Sequence, residues 1–252
     1  MIKIQTVSAL EKMLPRADVR LPETGGVCLS GAMYAFQVIV RTDRPMRRCR
    51  LTVESPVPVS LTAELYTTSF FTDNAWHDDY VIGAGQSVFP DALQPYASEE
   101  FSLAAGVNHT FWVKIPAGTP VGSHEFVFRA ENPEKAGDTC ECRYVLTVLD
   151  GTPDQSDLIV TKWIHSDCIA EACGIAPFDE AFYTAFGKYV RAAAESGQTM
   201  AYIPMFTPPL DTAVGTERLT VQSVGVTETK DGYCFDFTRF DRLIDICRLV
   251  SS

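Results

Sequence analysis

Residues 202–222 read YIPMFTPPLDTAVGTERLTVQ, a short apolar run that breaks at Thr207-Pro208-Pro209 into a polar loop carrying Asp211, Glu217 and Arg218. Proline locks its own φ and biases the residue before it towards extended geometry, so these three residues carry the chain straight off a strand instead of into a helix. The segment reads as the end of a buried strand opening onto a site. In a parallel α/β sheet, ligands bind at that end of the strands.

Working outward, Thr199 to Phe206 reads as the strand itself and Leu158 to Ile164 as an earlier one, with the β-branched composition of a parallel strand buried on both faces. Between them, Asp179 to Ser196 places Phe182, Phe186, Tyr189, Val190 and Ala193 on one helical stripe. Asp179 and Glu180 complement the positive helix end, and Gly197 stops the helix. Phe237, Phe240, Ile244 and Cys247 mark a second amphipathic helix, with Thr238 and Asp241 at capping-box spacing. The order β-α-β-loop-α belongs to a parallel α/β unit.

Upstream, Asp150-Gly151-Thr152-Pro153-Asp154 has the composition of a linker, and before it the hydrophobic period is that of strands. In Cys140 to Val148 the apolar side chains Cys140, Cys142, Tyr144, Leu146 and Val148 alternate with Glu141, Arg143 and Thr147. Met33 to Val40, Arg50 to Glu54, Leu61 to Phe70, Phe111 to Ile115 and Phe126 to Ala130 also read as strands. Pro22 to Gly26 and Pro116 to Pro120 read as turns. Many short strands at this spacing predict an antiparallel β-sandwich over residues 1–150. A (β/α)8 barrel takes about 250 residues, and roughly 100 follow the linker, so residues 151–252 are expected to hold the first units of a truncated barrel. An open two-stranded layer would leave apolar faces exposed, which predicts self-association.

The 252 residues are 46% hydrophobic and 11% aromatic, enough to fill a sizeable core. A net charge of -11, with Arg41 to Arg50 as the one basic cluster, argues against a nucleic-acid partner, and the cluster reads as a solvated face. Lys3, Glu11 and Lys12 interrupt any secretory signal at the start, and no window reaches membrane-spanning length, so a cytoplasmic location without membrane contact is expected. The eight cysteines then read as free thiols. Asn108-His109-Thr110 is a glycosylation sequon that would matter only on a secretory route.

The stretches TKWIHSDCIA (161–170) and MFTPPLDTAVGTERLTVQ (205–222) resemble the start of the barrel in glycoside hydrolase family 123 and its uncharacterised relatives. DDYVIGAGQSVFPDALQPY (78–96) and TFWVKIPAGTPVGSHEFVF (110–128) resemble the amino-terminal domain of the same proteins. The resemblance implies retaining, substrate-assisted hydrolysis of a β-linked N-acetylhexosamine, typically N-acetylgalactosamine, without a cofactor. The substrate's acetamido oxygen attacks the anomeric carbon, so no enzyme nucleophile is needed, an exception to the usual scheme. One carboxylate orients the acetamide and a neighbouring acid protonates the leaving oxygen. In the family these form an adjacent Asp-Glu near the end of a later strand, which implies catalytic residues beyond Ser252 and a chain inactive by itself. Asp179-Glu180 is such a pair, but its place at a helix start assigns it to capping. The alternative is a non-catalytic glycan-binding or scaffolding protein.

Five residues remain as candidate substrate contacts. Trp163, His165 and Asp167 alternate at the predicted end of the first strand and would point the same way. An aromatic face beside polar groups suits a sugar, while the competing reading packs Trp163 in the core and spends His165 on backbone groups at the strand end. Asp211 follows the two prolines, and Arg218 either donates to a substrate hydroxyl or pairs with Glu217 or Asp211 to brace the loop. His165, Cys168 and Cys173 include zinc-ligand types, but their spacing matches no common zinc pattern, so no metal is expected.

Overall fold

The computed structural model describes residues 1–71, 85–135, 137–154, 158–206 and 214–250. The chain divides into two compact units, 1–154 and 155–252. Among the described residues, the first contains two five-stranded sheets. One has the order β1 (Ile2–Ser8), β3 (Tyr34–Thr42), β8 (His109–Ile115), β5 (Ser60–Phe71), β6 (Gly85–Tyr96), with every neighbour antiparallel. The other has the order β2 (Gly25–Leu29), β10 (Thr139–Leu149), β9 (Gly122–Glu131), β4 (Met46–Glu54), β7 (Phe101–Leu103). Only β2 runs parallel to its neighbour there.

Both sheets contribute alternate residues to one core, so the unit is a β-sandwich. Phe36, Val38, Phe111 and Val113 come from the first sheet and Leu51, Phe126, Phe128, Tyr144 and Leu146 from the second, all almost fully buried. The Phe36 ring stacks on Tyr144 at 3.8 Å between centroids and meets Phe128 edge-on at 5.7 Å. Such pairs add about 1 kcal/mol each beyond their buried area. The alternation in β10 holds: Cys140 and Cys142 pack against the core, while Glu141 pairs outside with Arg129 and Arg143 with Glu125.

Strand β1, whose Ile2-Lys3-Ile4 opening buries both isoleucines, lies outside the predicted strands, and Gly25 begins β2 within the predicted turn Pro22 to Gly26. The basic cluster is a paired surface: Arg41 bonds Asp18 at 3.0 Å, Arg44 bonds Asp138 at 2.7 Å, and Arg48 holds both Glu100 and Glu134. The sequon residue Asn108 is fully buried, its amide donating to the carbonyls of Leu14 and Ala17. That asparagine is therefore inaccessible to a glycan in the folded chain.

The second unit comprises β11 (Thr161–Trp163), α1 (Ser166–Cys173), α2 (Glu180–Glu195), β12 (Met200–Tyr202), the hairpin β13 (Gly225–Thr229) and β14 (Gly232–Asp236), and α3 (Thr238–Val250). Strands β11 and β12 pair in parallel, with Trp163 opposite Tyr202. Phe182, Phe186, Val190, Val221 and Leu243 form the core beside them. Both strands are shorter and more exposed than the sequence predicts. Among the described residues this sheet has two strands, and Trp163, Met200 and Tyr202 are accessible. Strand β12 stops before Ile203-Pro204 because proline brings no N–H to a ladder.

Helix α2 is capped as its sequence implies: the Asp179 carboxylate accepts the Phe182 N–H at 2.7 Å, and Gly197 follows the last turn at φ 90°. Its buried stripe uses Tyr183 where Tyr189 was expected, and Tyr189 is half exposed. At α3 the predicted Thr238–Asp241 capping box gives way to Asp236, whose carboxylate accepts both the N–H and the hydroxyl of Thr238 at 2.9 and 2.6 Å. An ionised carboxylate is the stronger acceptor at the positive end of a helix.

Candidate functional site

Within the second unit, a cavity of about 740 Å³ lies beside the end of β11. Lys162, Trp163, His165, Asp167, Glu217 and Arg218 line it, together with Tyr189 of α2. The strand ends at Trp163, so the alternation expected from Trp163 through Asp167 is replaced by a strand-to-helix junction. His165 is the extended residue preceding α1, and Asp167 lies in that helix's first turn. The break costs little convergence, because the first turn of α1 brings Asp167 to the same cavity as the strand-end residues.

Arg218 organises this wall. Its Nε donates to Asp167 Oδ2, and its Nη2 lies 2.9 Å from Nδ1 of His165. The same nitrogen approaches Cys168 Sγ at 3.5 Å. The Asp167 and Arg218 side chains are 3% and 13% exposed, so the pair is largely withdrawn from water. The Asp167 carboxylate holds the Arg218 guanidinium still more firmly protonated than usual. Asp167, 51 residues away in the chain, is a partner outside the sequence alternatives of Glu217, Asp211 or a substrate hydroxyl.

The segment bearing Arg218 is fastened on its far side. Val221 is buried in the core, and the Ser223 N–H and hydroxyl both donate to the Met205 carbonyl, at 3.0 and 2.9 Å. Trp163 stacks on Tyr202 at 5.1 Å between centroids and lies 6.2 Å from the His165 ring at 29° between planes. Trp163 is 52% exposed in this unit. The His165 ring makes no helix-capping bond at the start of α1. Tyr202 is an addition that only the strand register reveals.

Trp163, His165, Asp167 and Arg218 thus meet at one place. Asp211, with the whole 207–213 stretch including Thr207-Pro208-Pro209, lies outside the described residues. Asp179 and Glu180 are absent from the cavity lining. Asp179 caps α2, and Glu180 takes Arg242 Nη1 at 2.8 Å while that guanidinium sits 3.8 Å above the Tyr183 ring. Among the described residues, no group of three or more His, Cys, Asp or Glu side chains is gathered to hold a metal ion, and no helix is long and apolar enough to cross a membrane.

Residues 163–251 match the family model described as glycoside hydrolase 123, catalytic domain. No curated protein matches the sequence significantly. Among solved structures, the chain is similar to a family 123 glycoside hydrolase from Clostridium perfringens, described in connection with glycolipid glycan hydrolysis. The match has a TM-score of 0.78 at 13% identity and covers 99% of this chain but 46% of that one. This chain therefore spans just under half the length of that enzyme. A PapD-like domain of human CEP192 matches at a TM-score of 0.28 and 10% identity, over 59% of this chain and 94% of that domain, which is too low to carry an argument. The resemblance to glycoside hydrolase family 123 stands on a sequence pattern in the second unit and on the fold of the whole chain.

Proposed function

We propose that this family 123 chain forms the β-sandwich and the opening β/α units of a (β/α)8-barrel glycoside hydrolase. Its substrate is a glycan containing a β-linked N-acetylhexosamine, and its mechanism is retaining and substrate-assisted. One observation carries the reading: the catalytic-domain match takes in Trp163, His165, Asp167 and Arg218, the four side chains that converge on the cavity. The exposed rings of Trp163 and Tyr202 suit the CH face of a sugar, and the polar wall beside them suits its hydroxyls. Asp211, two residues after Pro209, is assigned as a further contact.

Asp179-Glu180 is the chain's only adjacent Asp-Glu, and both members are engaged elsewhere. The 252-residue chain is therefore expected to lack turnover, with the acid pair supplied by the remainder of a longer protein. Assay of this chain and of the full reading frame on an aryl N-acetyl-β-galactosaminide tests both points. Hydrolysis by the longer product alone is expected. Turnover by the 252-residue chain would overturn the missing acid pair. A longer product that binds the sugar without cleaving it would favour the non-catalytic glycan-binding reading, which the commitment of Asp179 and Glu180 also supports.

A further inference from the structure

A guanidinium carries five N–H donors and no lone pair, so wherever it meets an imidazole nitrogen the imidazole must accept. Arg218 Nη2 lies 2.9 Å from His165 Nδ1. Nδ1 must then present its lone pair, and the ring proton resides on Nε2. The arrangement is built to persist. The Nε edge of the same guanidinium is held by Asp167, whose side chain is 3% exposed, and Val221 and Ser223 fasten the chain that delivers Arg218. No capping bond at the start of α1 competes for the ring.

We infer that Arg218 is a positioning residue which, anchored on Asp167, fixes His165 as the tautomer protonated at Nε2, so that this N–H is offered to an acceptor oxygen of a ligand in the cavity. The inference reassigns three of the candidate contacts. Asp167 and Arg218 act through His165, and His165 acts as a hydrogen-bond donor. In this state Nε2 has no lone pair, so it neither takes a proton as a general base nor binds a metal. Its partner is a hydroxyl or amide carbonyl oxygen, lying beside the Trp163 ring that shares this wall. The identity of that oxygen as a sugar's rests on the proposed function, whereas the tautomer does not.

The test is a long-range proton–nitrogen correlation spectrum of the whole chain labelled with ¹⁵N-histidine, recorded above the imidazole titration range, with His165→Gln assigning the His165 signals among the four histidines. A single set with Nε2 protonated and Nδ1 of the unprotonated type is expected. An Nδ1-protonated ring, or signals averaged between tautomers, would overturn the inference in the unaltered protein, whatever the fate of any variant. Arg218→Met should release His165 to an averaged mixture, and an unchanged Nε2–H ring in a folded Arg218→Met chain would also overturn it. Titration with N-acetylgalactosamine should move the Nε2 signal while Nδ1 stays of the unprotonated type. A fixed Nε2–H tautomer that ignores the sugar would uphold the Arg218–His165 relationship and count against the sugar reading.

Discussion

The hydroxyls of Tyr34 and Tyr144 lie 2.7 Å apart and join the two sheets of the sandwich through a hydrogen bond inside its core. Gly26 lies directly against this pair. A Cβ built there would fall 1.9 Å from the Tyr34 hydroxyl oxygen and 2.7 Å from that of Tyr144. Gly26→Ala must therefore displace both rings and is expected to cost about 3 kcal/mol of sandwich stability. Tyr144→Phe keeps the stacked ring but leaves the Tyr34 hydroxyl without its partner, at about 1–2 kcal/mol. Urea unfolding followed by circular dichroism measures both, and a Gly26→Ala chain with an unchanged midpoint would contradict the packing argument.

The same tyrosine makes the sandwich sensitive to alkali. Burial, reinforced by the Tyr34 hydroxyl, pushes the Tyr144 phenol above its ordinary value near 10, and burial raises Tyr66 and Tyr96 as well. Each phenol stays protonated in the folded chain at a pH where the unfolded chain has begun to ionise. Their contribution is thus complete below the unfolded value and is lost as pH rises through the folded one. Each group gives a fall of at most about 1.4 kcal/mol per pH unit. Urea midpoints measured across that alkaline range should decline, and Tyr144→Phe should decline less steeply. Equal slopes for the two proteins would remove Tyr144 from the account.

Elements that bury one face were legible in the sequence because their period is imposed by the core. Strand β10 and helix α2 are the clear cases, and the Asp179 cap followed from residue type alone. The hairpin β13–β14 carried a short-range signal in Lys230-Asp231-Gly232, with Gly232 at φ 129°, but both its strands are exposed and show no buried period to detect. Helix α1 is eight residues long and begins where a strand was expected to continue, so strand alternation and helix start compete over the same letters. In the site, the residue types were readable and their roles were not. Arg218 meets Asp167, 51 residues distant, and no local pattern carries that pairing.

Asp179 separates a capping carboxylate from a catalytic one. Removing the acceptor of the Phe182 N–H in Asp179→Ala should cost about 1 kcal/mol, and Asp179→Asn should recover most of it, since an amide oxygen also caps. In a longer, active product, both variants should retain turnover once folded. A loss of activity in Asp179→Asn by orders of magnitude with stability intact would return this pair to the reaction.

The eight thiols should divide by accessibility. Burial pushes Cys142 up to about 12 and raises Cys28, Cys49 and Cys247, whereas Cys168, Cys173 and Cys234 are exposed. An aromatic disulfide reagent at neutral pH should therefore label three thiols quickly in the native chain and all eight in denaturant. Cys168→Ser, Cys173→Ser and Cys234→Ser should each remove one of the fast three. Rapid native labelling of Cys142 would contradict its packing against the sandwich core.

The Asp167–Arg218 pair should behave as a coupled unit in stability. Asp167→Ala removes the carboxylate that accepts from Nε of Arg218, a side chain 13% exposed, and the lost charged hydrogen bond is expected to cost about 2 kcal/mol. Arg218→Met strands the carboxylate of Asp167, which is still less exposed, and should cost at least as much. Because each single change pays for the same broken contact, the Asp167→Ala/Arg218→Met double variant should lose less than the sum of the two. Hydrogen exchange over residues 161–173, which reports the strand-to-helix junction directly, measures all three. Strict additivity would show that the two side chains stabilise this junction independently, and the ion pair would then hold the geometry of His165 without contributing to the fold.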